Sequence, residues 1–235
     1  MQAKNPTYRI EMSGKEPDLP HDLPRAKIAM PESFFRAAFL ISGMVMFAIR
    51  LYYQGKVYAQ GGTLRSEEPE RGLLFGAPAA LFVLVFGTAY IIKPGWPAWA
   101  FALRFPTALR VLGVPLLASG LALLFVAHRH LGPNFSSLVR VREGHTLVED
   151  GPYRWIRHPI YMAYVLNYVG GGLVSGNWVL ALVPTVLFAV MVALRVGQEE
   201  AALVAQFGEQ YEAYMRRTGR FVPRWGGAGA RGDER

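Results

Sequence analysis

Cysteine is absent from the 235-residue chain, which excludes disulfides, thiolate nucleophiles and cysteine metal sites in one step. Other familiar signatures are missing too. There is no Walker A loop, no G-x-S-x-G elbow and no H-E-x-x-H pair, and no G-x-G-x-x-G follows a strand-like run. Phosphate-cradling, serine-hydrolase, zincin and dinucleotide chemistries therefore lack their usual footing. Gly170-Gly171-Gly172 lies inside an apolar run and reads as a place of close helix packing. His128 and His130 have no carboxylate spaced to complete a metal site with them, so they read as the border of an apolar span and no metal is expected. Charge is missing over one long stretch: residues 160–194 contain no charged side chain.

What is present points to a bilayer. Hydrophobic residues make up 52% of the chain and mean hydropathy is positive, which favours a multi-span membrane protein over soluble domains. Net charge is +8, and the segments 128–158 and 195–235 hold twelve of the 25 lysines and arginines, beside apolar runs. A membrane face carrying anionic lipid accounts for that placement, since no soluble basic domain is left to grip nucleic acid. The first 30 residues are polar and broken by Pro6, Pro17, Pro20 and Pro24, so no cleavable signal peptide is expected in them.

In order, the chain reads as a polar tail (1–32), N-terminal spans on the lipid or substrate side (33–107), a core with the site (108–223) and a disordered tail (224–235). The predicted class is an all-α membrane protein with about five transmembrane helices. The spans fall at 34–53, where Arg36 and Arg50 snorkel near the ends, then 73–92, about 108–127, from Pro159 onward, and 178–194. Lys93-Pro-Gly-Trp-Pro-Ala-Trp99 between the second and third suits an interfacial turn. Ser175-Gly-Asn177 is so short that the last two spans must form an antiparallel hairpin, returning Arg195 to the end where His158 lies. With the 128–158 loop in the cytoplasm, alternation puts 50–71 and the C-terminus there as well, and these regions carry sixteen of the 25 basic residues. The basic N-terminal tail then falls outside, against that rule. Over 198–217, Val204, Phe207, Tyr211 and Tyr214 recur at helical spacing, predicting a separate amphipathic helix on the membrane surface or folded over the site.

Polar groups crowd where the apolar runs emerge. His145-Thr-Leu-Val-Glu-Asp-Gly-Pro-Tyr-Arg-Trp-Ile-Arg-His-Pro-Ile-Tyr161 gathers bases, prolines and aromatics at such an edge, and polar residues there mark a ligand. His158 precedes a helix opening at Pro159, so it can cap free N–H groups or help hold an anion. Tyr153 and Tyr161 can stack on a planar ligand or anchor at the interface. Arg195 and Glu199 share a helix face beside Glu200. Carboxylates opposite a cation-rich loop suit a zwitterionic ligand.

These residues are familiar in combination. His145-Thr-Leu-Val148, Gly151-Pro-Tyr-Arg154, Arg157-His-Pro-Ile-Tyr161, Arg195-x-x-x-Glu199-Glu200 and Phe207-Gly-Glu-x-Tyr211, with Gly132-x-Asn134-Phe135 before them, resemble the isoprenylcysteine carboxyl methyltransferase family and its phospholipid and thiol methyltransferase relatives. The likeness covers about 107–223. It implies an integral membrane enzyme that uses S-adenosylmethionine and releases S-adenosylhomocysteine. It further implies a cofactor enclosure of His145, Thr146, Leu147, Val148, Tyr153, His158, Pro159, Ile160, Tyr161 and Glu199, with Arg195 touching the acceptor. At residue 138 a leucine replaces the polar cofactor-contacting residue of eukaryotic members.

Methyl transfer is an in-line displacement in which positioning supplies most of the rate. A carboxylate acceptor, the favoured case, needs no base, and Arg195 would orient it. An amine, thiol or phenol must first lose a proton, which makes His158 or Glu200 a candidate base. The expected partners are a lipophilic acceptor and membrane lipid, with no nucleic acid and no obligate protein partner. A small transporter or scaffold is the rival class, disfavoured because Asn167 is almost alone as a polar residue within its span.

Overall fold

A computed structural model of the chain describes residues 30–59, 71–132 and 146–224. The expected spans appear as helices α1 (Glu32–Ala59), α2 (Arg71–Ile92), α3 (Thr107–Leu131), α4 (Pro159–Ser175) and α5 (Trp178–Phe207), followed by the short α6 (Glu209–Arg217). α1, α3 and α5 are long and apolar enough to cross a membrane. The apolar stretch Ala77–Ile92 of α2 is shorter, and α4 at 17 residues rises only about 25 Å, the low end for a span.

The centre of the bundle is the antiparallel pair α3 and α4, brought together by glycine. A Cβ at Gly113 would lie 2.8 Å from the Gly170 carbonyl oxygen, and one at Gly120 only 2.4 Å from the Asn167 amide. Small residues let helices approach to this distance where lipid offers no hydrophobic drive for association. Asn167, expected as a lone polar group, donates to its own helix at Ala163 O, 2.8 Å away.

The α4–α5 hairpin turns on two residues. Gly176 takes φ +67, a left-handed conformation that glycine adopts without a Cβ penalty, and ends α4. Asn177 then caps α5, its side-chain oxygen accepting from the N–H groups of Val179 (3.0 Å) and Leu180 (3.1 Å). Beside this end, the Trp178 indole donates to Trp99 O at 3.2 Å, so the two tryptophans mark one interface.

α1 is held at the same end. Glu32 accepts from the Tyr90 hydroxyl at 2.7 Å and from Arg110 at 2.8 and 2.9 Å, tying α1 to α2 and α3. Arg110 also donates to Val174 O at 3.0 Å, and Arg36 donates to Ile91 O. Chain alternation puts the last turn of α1, the last turn of α3, the start of α4 and the end of α5 at the opposite end of the bundle.

The expectation that a separate amphipathic helix begins near residue 198 is corrected. α5 runs without a break from the apolar span through Arg195, Glu199 and Glu200 to Phe207. Its 30 residues rise about 45 Å, so the charged last third projects beyond the hydrocarbon. The break falls at Gly208, where φ is +54, and only α6 is the separate helix, with Tyr211 and Tyr214 buried.

Candidate active site

The site forms where the end of α5 meets the start of α4. Pro159 is the first residue of α4, as its missing N–H and fixed φ allow. His158 stands before it but makes no side-chain cap, so the capping reading gives way to another partner. Its Nε2 lies 3.3 Å from Glu200 Oε1, and its ring stacks on Tyr161 with centroids 5.4 Å apart and planes 14° from parallel. Tyr161, one turn into α4, donates its hydroxyl to Glu199 Oε2 at 2.7 Å. Segments about forty residues apart therefore meet through two adjacent carboxylates.

Glu200 is enclosed by cations. Arg157 Nε donates to it at 2.9 Å and Arg220 Nε at 3.2 Å, while Arg220 Nη2 reaches its other oxygen. Burial alone would raise its carboxyl, but the hydrogen bonds from His158, Arg220 and Arg157 outweigh that and hold it at about 2. The Arg220 guanidinium is pushed up in return by its bond to Glu200. With both oxygens engaged, Glu200 fastens the structure rather than standing ready to take a proton.

Residues 218–221 close over this cluster. Ile156 and Gly219 form an isolated parallel bridge, Arg157 N donates to Gly219 O at 2.8 Å, and His158 N donates to Arg220 O at 3.1 Å. Phe221 brings its ring to 5.9 Å from His158. Arg157 Nη1 adds bonds to Met215 O at 3.2 Å and Thr218 O at 2.6 Å. A short, bent strap of chain thus ties the C-terminal region to the entrance of α4.

Tyr153 sits in a short 3-10 turn, Gly151–Arg154, and is 7% exposed. Burial pushes its hydroxyl well above the usual tyrosine value. Its carbonyl accepts the Tyr214 hydroxyl at 2.7 Å, so α6 braces the turn, and Glu149 pairs with Arg217 beside it. Thr146, Leu147 and Val148 lead into the turn as irregular chain. Ile160 is half-buried in the first turn of α4, and Arg195 is half-buried on α5, one turn before Glu199. His145, Asn134, Phe135 and Leu138 lie outside the described residues.

Sequence reasoning missed three members of the cluster. Arg157 was visible as the neighbour of His158, but nothing in its position announces Glu200 as its partner. Arg220 and Phe221 carry no periodic or motif signal, and only the strap brings them in. Among the described residues no group of three or more metal-ligating side chains occurs.

Residues 112–205 match the family model described as the isoprenylcysteine carboxyl methyltransferase (ICMT) family. Over these residues the core of the chain is similar to this family. It is 30% identical over 131 residues to the protein-S-isoprenylcysteine O-methyltransferase of Schizosaccharomyces pombe, covering 52% of this chain and 56% of that one. It is also 33% identical over 111 residues to the cobalt-zinc-cadmium resistance protein CzcN of Cupriavidus metallidurans, covering 47% and 50%. The chain spans about half the length of these curated relatives. A solved structure of a eukaryotic intramembrane Ras methyltransferase ICMT superposes with a TM-score of 0.59 at 23% identity, covering 84% of this chain and 69% of that one. That likeness gives the fold, an integral multi-pass membrane protein. The family-matched residues contain α4 and the part of α5 that bears Arg195, Glu199 and Glu200, whereas α1, α2, α6 and the strap lie outside them.

Proposed function

We propose that this protein transfers a methyl group from S-adenosylmethionine to a lipophilic acceptor in the membrane, a carboxylate in the favoured case, with the site on the cytoplasmic face. The observation that carries the reading is the 2.7 Å bond from Tyr161 to Glu199, which sets an acidic group against aromatic rings at the end of an apolar bundle. Such a donor set fits the cofactor, whose cationic parts suit a carboxylate and aromatic faces.

Glu199 and the rings of Tyr161 and Tyr153 would hold S-adenosylmethionine, together with His145 to Val148 and His158 to Ile160. When bound, the cofactor supplies a methyl group on a sulfonium. The chain's own residues do the rest. Tyr161 fixes the carboxylate of Glu199, Arg157 and Arg220 fix Glu200, and Glu200 fixes the His158 ring against Tyr161. Arg195, one turn before Glu199, orients the acceptor carboxylate. The attacking oxygen needs no proton removed, so the binding of Glu200 by cations costs the reaction nothing. The strap and α6 keep water from the turn at Tyr153, which favours a step in which two opposite charges vanish together.

Calorimetry on detergent-solubilised protein tests this. Wild type should bind S-adenosylhomocysteine saturably, and Glu199→Ala should weaken it at least tenfold with unchanged helicity. Absence of binding by well-folded wild type overturns the reading. Labelled methyl transfer into membrane extract should give a product that base hydrolyses, as an ester does; a base-stable product moves the acceptor to an amine, thiol or phenol.

A further inference from the structure

We propose that Arg50, on α1, captures the acceptor's carboxylate from the bilayer and holds it at the edge of the site, from where Arg195 orients it for transfer. The proposal rests on the methyltransferase reading, but its binding test stands apart from that reading. Arg50 lies outside the family-matched residues, in a helix long and apolar enough to span.

An arginine in a membrane span is costly and calls for an anion or a polar partner. Arg50 Nη1 donates to the Tyr164 hydroxyl at 3.0 Å, and no carboxylate among the described residues pairs with it. The residue is exposed, and its bond to Tyr164 lies at the surface of the bundle. The sequence expectation that Arg50 simply snorkels to the headgroups is therefore incomplete, because the side chain reaches across to α4.

Its position links it to the chemistry. Tyr164 follows Tyr161 by three residues and shares its face of α4, so the Arg50 contact lies about 5 Å, one helical turn, deeper than the Tyr161–Glu199 contact. Phe188 joins the two levels, with ring centroids 5.9 Å from Tyr161 and 5.2 Å from Tyr164. Tyr168 continues the wall, 5.6 Å from Phe188. An aromatic surface thus descends from the carboxylate that would face the donor into the apolar bundle, with Arg50 at its α1 edge. Among the described residues, α1 and α2 are tied by side-chain hydrogen bonds at the far end, at Glu32–Tyr90 and Arg36–Ile91.

Opposite charges one turn apart match two opposite partners: Glu199 for the cationic donor, Arg50 for an anionic acceptor whose chain lies along Tyr164, Tyr168 and Phe188. The step balances without a proton. A carboxylate oxygen forms the bond to the methyl carbon, the carbon–sulfur bond breaks, and its electron pair stays on sulfur as a neutral thioether. The ester has lost the charge that Arg50 holds, so methylation itself weakens the grip on the product.

Tritiated palmitate binding to protein on scintillation beads tests the proposal, with methyl palmitate and dioleoyl phosphatidylglycerol as competitors. Wild type should bind palmitate saturably, Arg50→Gln should weaken it at least tenfold, and Arg50→Lys should fall between. S-adenosylhomocysteine affinity should stay within twofold in both variants, which also shows that they fold. The proposal is overturned if wild type does not bind palmitate, if Arg50→Gln binds it equally, or if the neutral ester competes as well as the acid. It is equally overturned if phosphatidylglycerol displaces palmitate at equal concentration, which would make Arg50 a lipid-headgroup anchor. Palmitate binding that depends on Arg50, in protein with no S-adenosylhomocysteine affinity, would sink the methyltransferase reading and leave the carboxylate site standing.

Discussion

At the scale of single residues, Glu199 and Glu200 are neighbours in sequence with different tasks. Glu199 is half-buried and meets a hydroxyl, whereas Glu200 is 6% exposed and meets three basic side chains. In the sequence the family resemblance separates them, with Glu199 toward the cofactor and Glu200 a candidate base, but adjacency does not say that Glu200 turns to α4 and the strap and is held there by cations. Glu200→Gln should cost about 3 kcal/mol, since removing one partner of a buried pair leaves Arg157 uncompensated. The sign of the pH effect follows from the depressed carboxyl. Its stabilisation is complete above the ordinary value of 4.5 and is lost as pH falls toward about 2. Thermal melts monitored by circular dichroism should therefore show the gap between wild type and Glu200→Gln closing across that window. A gap unchanged at low pH would mean that the charge on Glu200 contributes no stability.

Helices α3 and α4 depend on what their glycines lack. A side chain at Gly113 would meet backbone at 2.8 Å on both Gly170 and Val174, while Gly43 on α1 has nothing within 4 Å. Gly113→Val should destabilise by about 1–3 kcal/mol through overpacking, and Gly43→Ala should be neutral or slightly stabilising, as a helical glycine loses backbone entropy. Unfolding of both variants in the same detergent checks the contrast. At the hairpin, Asn177→Ala should cost about 1 kcal/mol through the lost cap. The glycine run at 170–172 was legible as a packing surface, but its partner was not. The break between α5 and α6 was misplaced because Arg195 to Glu200 interrupts the apolar pattern without interrupting the backbone, and polarity marks where a helix leaves the hydrocarbon, not where it ends.

For the whole molecule, the tryptophan end and the carboxylate end should lie on opposite faces of the bilayer. Since the chain has no cysteine, single cysteines placed at the exposed positions Trp96 and Arg154 can be labelled cleanly with a membrane-impermeant maleimide. Arg154→Cys should react in inside-out vesicles and Trp96→Cys in right-side-out ones; reaction of both in the same preparation would refute the arrangement. The sequence by itself determined the bilayer setting, the number and approximate position of the apolar helices, and the return of Arg195 to the end where His158 lies, because length, hydropathy and a short turn leave little freedom. It could not determine that Arg157 and Arg220 share Glu200, that a C-terminal strap covers the entrance to α4, or that Arg50 reaches Tyr164. Those contacts join residues between 20 and 114 positions apart, and no local pattern encodes such a distance. Only the packed bundle decides which polar groups, all needing partners away from water, find one another.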